Sequence, residues 1–305
     1  MYREDLIMPR PKILRMAAIN ITARNHPEGV YESILKQAQR SRLRARVLGD
    51  RFGVITQIWA SSDPDVPGIH GVISTFTNIN FDEPWFNEET LDEASESDIN
   101  NIDLPSNLRP NLRRCVFIFD RRTHTISFDI NSKSGGIAPA SMERFLTELL
   151  SNQRIVSQFG AIKINILHEE HSVSDLLSKP NLRQIFIHTG RPNPGDYDAT
   201  PYEDLKEFLD QEGADIFEQT LSASNDSLTP SPKTKQLAEM ADENGYITIR
   251  ARTIDGQSYT TSTKNSAPHV EQDKVNLDVT DFISAAYTMA ERISRMIRRR
   301  RGRRH

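Results

Sequence analysis

The chain has 305 residues, 37% hydrophobic and 26% charged, with a formal net charge of −4. That balance fits a globular protein of one large domain or two ordinary ones. A single cysteine, Cys115, excludes an internal disulfide and a multi-cysteine zinc site. No run reaches the roughly 18 apolar residues of a membrane span and the first residues hold no apolar signal core, so the expected setting is cytoplasmic, with no membrane partner.

Residues 1–11 read as a loose arm. KILRMAAINIT (Lys12–Thr22) alternates around Asn20 and predicts a strand. After Pro27 and Gly29, residues Val30, Ile34, Ala38, Ser41 and Ala45 fall near helical spacing, which predicts one amphipathic helix over Val30–Val47, stopped at Gly49. Arg51–Ala60 and His70–Phe81 are strand-like and joined by the turn-rich SSDPDVPG, so an antiparallel pair is expected. Asp82–Arg109 is an acidic excursion bounded by Pro84 and Pro105, too long to be a plain connection.

Leu112–His168 is the most legible stretch. In CVFIFD (Cys115–Asp120) both faces are apolar, which predicts a central strand covered on both sides. In THTISFDIN (Thr123–Asn131), Ile126, Phe128 and Ile130 alternate with Thr125, Ser127 and Asp129, predicting a strand with one wetter face. A hinge at Gly135-Gly136 leads to a helix starting near Pro139 and Ser141. Its stripe is Met142, Phe145, Leu146, Leu149 and Leu150, and the segment ends at Gly160. AIKINIL (Ala161–Leu167) closes a β-β-α-β unit.

Past His171 a strand is predicted at Arg183–His188, a helix at Tyr202–Phe217, a linker at Ser222–Thr234 and a short helix at Lys235–Ala241. Gly245–Ile254 and Gln257–Thr263 form a hairpin across Asp255-Gly256. Val279–Ile297 is a closing helix with Phe282, Ile283, Ala286, Met289, Ile293 and Ile297 in register. The fold class is α+β, with antiparallel or mixed sheets. A boundary near 171–181 is expected to divide an N-terminal α+β domain, 1–171, carrying the acidic insert 82–109, from a C-terminal α+β domain, 172–305, carrying a basic tail; a single continuous body is the alternative.

Charge is distributed unevenly. No Lys or Arg occurs between Phe52 and Leu108, where Asp82, Glu83, Glu88, Glu89, Asp92, Glu93, Glu96, Asp98 and Asp103 accumulate. The last fourteen residues hold eight arginines: Arg292, Arg295, Arg298, Arg299, Arg300, Arg301, Arg303 and Arg304. Capping a helix C-terminus needs fewer, so this end is a candidate phosphate-binding arm. Arg40, Arg42, Arg44 and Arg46 form a second cluster, although residues two apart on a helix do not share a face. Arg121 and Arg122 sit at a predicted hairpin tip. The acidic stretch is a candidate to fold back on this positive surface.

Catalytic motifs are weaker. His168-Glu169-Glu170-His171 has the composition of a zinc motif without the i, i+4 spacing. Cys115 lies inside an apolar strand, where a nucleophile is not expected. Lys163 has no acidic residue two positions earlier, so the nuclease strand pattern is missing. No cofactor is expected. An enzyme reading, as a nuclease or nucleotide hydrolase, would rest on Asp129, His168, Glu169, Glu170 and His188 near strand ends. A scaffold reading would make Phe282, Ala286, Met289 and Ile293 an interface stripe.

The opening INITARNHPEGVYESIL and the unit FIFDRRTHTISFDI resemble a family of uncharacterised bacterial proteins associated with phage defence and mobile elements. In order and spacing rather than in any diagnostic motif, much of residues 110–297 is also similar to the phage-lambda exclusion protein RexA, including a strand like YITIRARTIDGQ before the closing helix. The RRRRGRRH tail and the acidic insert have no counterpart there. The resemblance implies a non-enzymatic, DNA-binding, dimeric component of phage exclusion, with DNA or RNA, a second copy and a defence-system protein as its partners.

Overall fold

The computed structural model describes residues 12–23, 27–61, 63–131, 135–168, 172–191, 200–265, 269–275 and 279–302; the arm at 1–11 lies outside them. The first strand, β1 (Lys12–Ala23), is long enough to serve several neighbours. Helix α1 (Val30–Arg40) buries Val30, Ile34, Leu35 and Ala38 on one face. It stops earlier than its helical spacing suggests. Arg42 adopts a left-handed φ of 47° and the Leu43 N–H donates to the Ala38 carbonyl, 3.1 Å, the bond that closes a helix C-terminus. Residues 44–48 are therefore strand, β2 (Arg44–Leu48), with Ala45 and Val47 buried between exposed Arg44, Arg46 and Leu48. The alternation Leu43-Arg44-Ala45-Arg46-Val47 has period 2, and it prevails over the weaker 3.6 pattern.

The expected antiparallel pair is β3 (Arg51–Ala60) and β4 (Gly68–Thr77). The acidic excursion contains β5 (Phe86–Asn87), β6 (Asp92–Glu93) and α2 (Glu96–Asn100). A capping box starts α2: the Ser95 side chain accepts from Asp98 N–H while Asp98 accepts from Ser95 N–H. The central unit follows as β7 (Arg113–Asp120), β8 (Thr125–Asp129), α3 (Pro139–Leu150), α4 (Gln153–Phe159) and β9 (Ile162–Ile166). Its helical part is two helices, because Asn152 caps a second one by accepting from Arg154 N–H at 3.1 Å.

Next come α5 (Ser172–Leu177), β10 (Leu182–Gly190), α6 (Thr200–Gln211), β11 (Ile216–Ser222), α7 (Pro232–Asn244), β12 (Gly245–Arg252), β13 (Ser258–Ser262), a 3₁₀ turn (Thr263–Asn265), β14 (Val270–Val275) and α8 (Val279–Gly302). The helix predicted to reach Phe217 ends at Gln211. Gly213 turns left-handed (φ 63°), the Ala214 N–H caps Leu209, and Phe217 belongs to β11.

The strands form an eight-stranded sheet ordered β14-β1-β8-β7-β4-β3-β2, with β9 also on β1, and a four-stranded sheet ordered β11-β10-β12-β13. Every pairing in both is antiparallel. Around β1, β7 and β8 the large sheet is buried from both sides, as the two apolar faces of β7 require. Cys115, Phe117 and Phe119 join Ile34, Phe145 and Leu149 under α1, α3 and α4. Ile118 faces the other way and meets Leu14, Met16, Met289, Ile293 and Ile297 under α8. Each such large apolar side chain contributes about 1.5–3 kcal/mol on burial.

That second layer corrects the wetter face expected of β8. Thr125, Ser127 and Asp129 are 1–3% exposed, because α8 roofs the face on which they alternate. A separate core holds the second sheet together with α5, α6 and α7. Although β14 and α8 follow the second sheet in the chain, they return to the first: β14 pairs with β1, and α8 packs on β1, β7 and β8. The edge strand β14 had no apolar alternation to announce it. Among the described residues no helix is long and apolar enough to cross a membrane.

Candidate nucleic-acid interface

Helix α8 covers only part of its face of the large sheet. Beyond it, β2, β3, β4 and the start of β7 form the floor of an open groove of about 570 Å³, walled by the loop 106–112. Strand register sets the chemistry of that floor. Arg44 lies opposite Val54, Val54 opposite Ser74, and Ser74 opposite Arg114. One row across four strands thus begins and ends with an arginine, about 14 Å apart at the usual strand spacing. The next row runs Arg46, Phe52, Phe76, with the Arg46 guanidinium 5.5 Å from the Phe52 ring centroid.

Between these ends, Thr56 Oγ1 donates to Val72 O at 3.1 Å and lies 3.0 Å from Ser74 Oγ. Arg44, Arg46 and Arg114 are exposed, and among the described residues none of them forms an ion pair. Arg109 curls onto its own loop, donating from Nη1 to Ser106 O (3.0 Å) and Leu108 O (2.6 Å). On the opposite face at this end, Arg51 donates to Thr75 Oγ1 at 3.1 Å. Burial and, second, the nearby Arg113 charge hold its pKa below the usual arginine value. Cations from three strands, β2, β3 and β7, and a loop are therefore gathered at one end of the sheet.

The arginines singled out in the sequence divide among separate places. Arg40 closes α1 and Arg42 forms the left-handed turn, while Arg44 and Arg46 share one face because they stand two apart on a strand. Arg121 is paired through Nε to Glu32, with Glu28 at 3.8 Å, and Arg122 lies 3.6 Å from Asp120. The hydrogen bond to Glu32 raises the Arg121 pKa further. Arg292 pairs with Asp273 at 3.2 Å, and Arg295 pairs with Glu291 one turn earlier. Arg298 and Arg299 are exposed on the last turns of α8; only the helical backbone is described for Arg300 and Arg301, and Arg303 and Arg304 lie outside the described residues. Ser294 of α8 meets Thr123 at the β7–β8 tip, 3.5 Å. The tail therefore leaves from the end of β7 opposite to Arg114. The tail and the open row do not form one surface.

Sequence reasoning missed Arg109 and Arg114. The available signal was parity: Arg114 shares its strand face with Val116 and Ile118. The acids of 82–103 form no ion pair with the groove arginines among the described residues. Phe86 and Leu91 of that insert are exposed.

The proposed interface stripe on α8 is core: Ala286, Met289 and Ile293 are 0–1% exposed, with Phe282 packed beside them. Burial, then the Asp129 charge, pushes the Cys115 thiol far above its usual pKa, consistent with an inert core residue. Asp129 is buried, and its carboxylate accepts from Asn131 N–H at 2.8 Å. Glu169, Glu170 and His171 lie outside the described residues. His168, just after β9, and His188, in β10, line one crevice. Among the described residues no group of three or more His, Cys, Asp or Glu is placed to hold a metal ion.

An antiparallel α+β architecture with a half-open, arginine-ended sheet face defines this molecule as a class. The family model described as "Domain of unknown function (DUF4747)" matches residues 12–291, and the chain belongs to that family. The matched span contains Arg44, Arg46, Arg109 and Arg114 and ends at Glu291, before the arginine-rich end of α8. No curated protein matches the chain.

Proposed function

We propose that this protein is a non-enzymatic nucleic-acid-binding protein whose open sheet face holds the backbone of a single strand. The observation that carries this reading is the pair of adjacent rows, Arg44–Val54–Ser74–Arg114 and Arg46–Phe52–Phe76. Guanidinium groups without carboxylate partners attract phosphates, and displacing the phosphates' counterions yields salt-dependent affinity. Partly exposed phenylalanine rings between them offer stacking surfaces that accept any base. Phosphate contacts position a strand without reading its sequence, so binding of DNA or RNA with weak sequence preference follows. Arg298 and Arg299 add a second, separate anion-attracting site at the far end of the sheet. The resemblance in layout to a phage-exclusion protein supports placing this binding in phage defence, with a defence-system protein as its further partner.

Fluorescence anisotropy tests the reading, with a labelled single-stranded DNA, the matching RNA and the corresponding duplex titrated with the full chain. Single strands are expected to bind more tightly than the duplex, with little dependence on sequence. A folded protein that binds none of the three, or binds only one sequence, removes the proposal.

A further inference from the structure

The crevice that joins the two sheets is a second candidate site, independent of the open face. Its volume is about 250 Å³, and Glu143, Asn165, His168, His188, Tyr246 and Lys264 line it. These residues come from α3, β9, the segment after β9, β10, β12 and the 3₁₀ turn, so only the folded chain assembles them. The strands approach closely here: a Cβ added to Gly245 would lie 1.9 Å from the His188 carbonyl oxygen. That closeness leaves no room for a side chain at 245 and brings His188 and Tyr246 side by side.

The polar groups are held in place, and one of them, the Asn165 amide, is a buried donor without an acceptor among the described residues. The His188 ring stacks on Tyr246 with centroids 4.8 Å apart, and its Nδ1 lies 2.9 Å from Glu218 Oε1. A proton on Nδ1 is therefore engaged by Glu218, leaving Nε2 for a ligand. Lys264 Nζ lies 5.1 Å from the Tyr246 ring centroid, a cation placed by an aromatic face. The amide nitrogen of Asn165 is buried and has no hydrogen-bond partner among the described residues. A buried donor left unmade is costly, and native proteins usually supply its acceptor. Glu143 brings the opposite need. Its carboxyl accepts from the Ile166 backbone, and burial holds its pKa above the usual carboxylate value.

We propose that this crevice binds a small phosphate monoester that also carries a hydroxyl group, of the size of a phosphorylated sugar. Its phosphoryl oxygens accept from the Asn165 amide and the Lys264 ammonium, with His168 and His188 beside them. Its hydroxyl donates to Glu143, which answers the one acidic group in the site. The ligand contacts the large sheet at Asn165 and the small sheet at His188 and Tyr246, so it bridges the two sheets.

Isothermal titration of the full chain with ribose 5-phosphate, inorganic phosphate and ribose tests this. Ribose 5-phosphate is expected to bind saturably at one site, more tightly than either of the other two. Lys264→Met and Asn165→Asp, each shown to fold by circular dichroism, are expected to weaken it by about tenfold or more, through the loss of a charge-assisted contact or the gain of a repelling one. Arg44→Ala, on the open sheet face, is expected to leave it unchanged, which separates this site from the nucleic-acid reading. No saturable binding by the folded wild-type chain overturns the proposal. So does undiminished affinity in either folded crevice variant, or loss of ribose 5-phosphate binding in Arg44→Ala.

Discussion

Arg121 and Arg44 lie on the same sheet and have opposite environments. At the β7–β8 tip, Arg121 reaches Glu32 and Glu28, and Arg122 reaches Asp120. At the other end, the guanidinium groups of Arg44, Arg46 and Arg114 stand on a bare face with no carboxylate paired to them among the described residues. Helix α8 sharpens the contrast, since it seals one part of a face and leaves the rest open. Arginine content alone says little about binding; what matters is whether the fold supplies each guanidinium with its own anion. Arg292 and Arg295 belong with the paired group, and Arg298 and Arg299 with the open one.

The comparison yields several ways to break it. The largest effect is expected where α8 seals the sheet: Ile293→Ala should lower the unfolding free energy by about 2–5 kcal/mol in urea denaturation, because Ile293 is fully buried. A loss under about 1 kcal/mol would mean that α8 lies loosely and the two parts of the face are alike.

Next is the hairpin tip. Arg121→Ala leaves the Glu32 carboxylate, whose side chain is 6% exposed, without its partner. Because Arg121 itself is 46% exposed, solvent softens the loss, and about 1–3 kcal/mol is expected. Adding Glu32→Gln should recover most of it. By contrast, Arg44→Ala and Arg114→Ala should each stay within about 0.5 kcal/mol of wild type. Comparable costs at both ends would erase the distinction drawn between structural and available arginines.

The smallest effect lies on the border between sealed and open face. Tyr287 of α8 and His70 of β4 meet there, 2.7 Å from hydroxyl to Nδ1, and Trp59 stacks on His70 at 5.2 Å. Burial lowers the His70 pKa below its ordinary 6.5, so the unfolded chain takes up the proton more readily than the folded one. Stability from this contact is present above pH 6.5 and falls as the pH drops through that value toward the lower folded pKa. Protonation also removes the lone pair that accepts from Tyr287. Melting curves should show a shallower acid-side decline of Tm in His70→Asn than in wild type, and an identical decline would exclude the contact as its source.

Much of the fold is legible in the sequence wherever one periodicity dominates. Cys115–Asp120 announces a strand covered on both sides, and the structure supplies α1, α3 and α4 on one side and α8 on the other. Competing periods defeat the reading at Val30–Val47, where Ala38 and Ala45 fit a helix but Leu43, Ala45 and Val47 fit a strand better. The alternation in Thr125–Asp129 is real and misleads about solvent, since a helix more than 150 residues later roofs it. The basic site was half visible. Arg44 and Arg46 stand out in the sequence, but no spacing in the chain places Arg44 level with Arg114, which only the register of β2, β3, β4 and β7 does. The crevice at Asn165 and Lys264 was less visible still, because its residues come from six segments.

The most direct test of the central claim is the salt dependence of single-strand binding in Arg44→Ala/Arg46→Ala/Arg114→Ala, measured beside Arg298→Ala/Arg299→Ala. Each phosphate contact on a single strand contributes about 0.7 to the slope of log affinity against log salt. The triple variant, folded as wild type, is predicted to lose about 2 from the magnitude of that slope, and the tail variant to lose less. An unchanged slope in the folded triple variant would contradict the account and move the binding surface elsewhere.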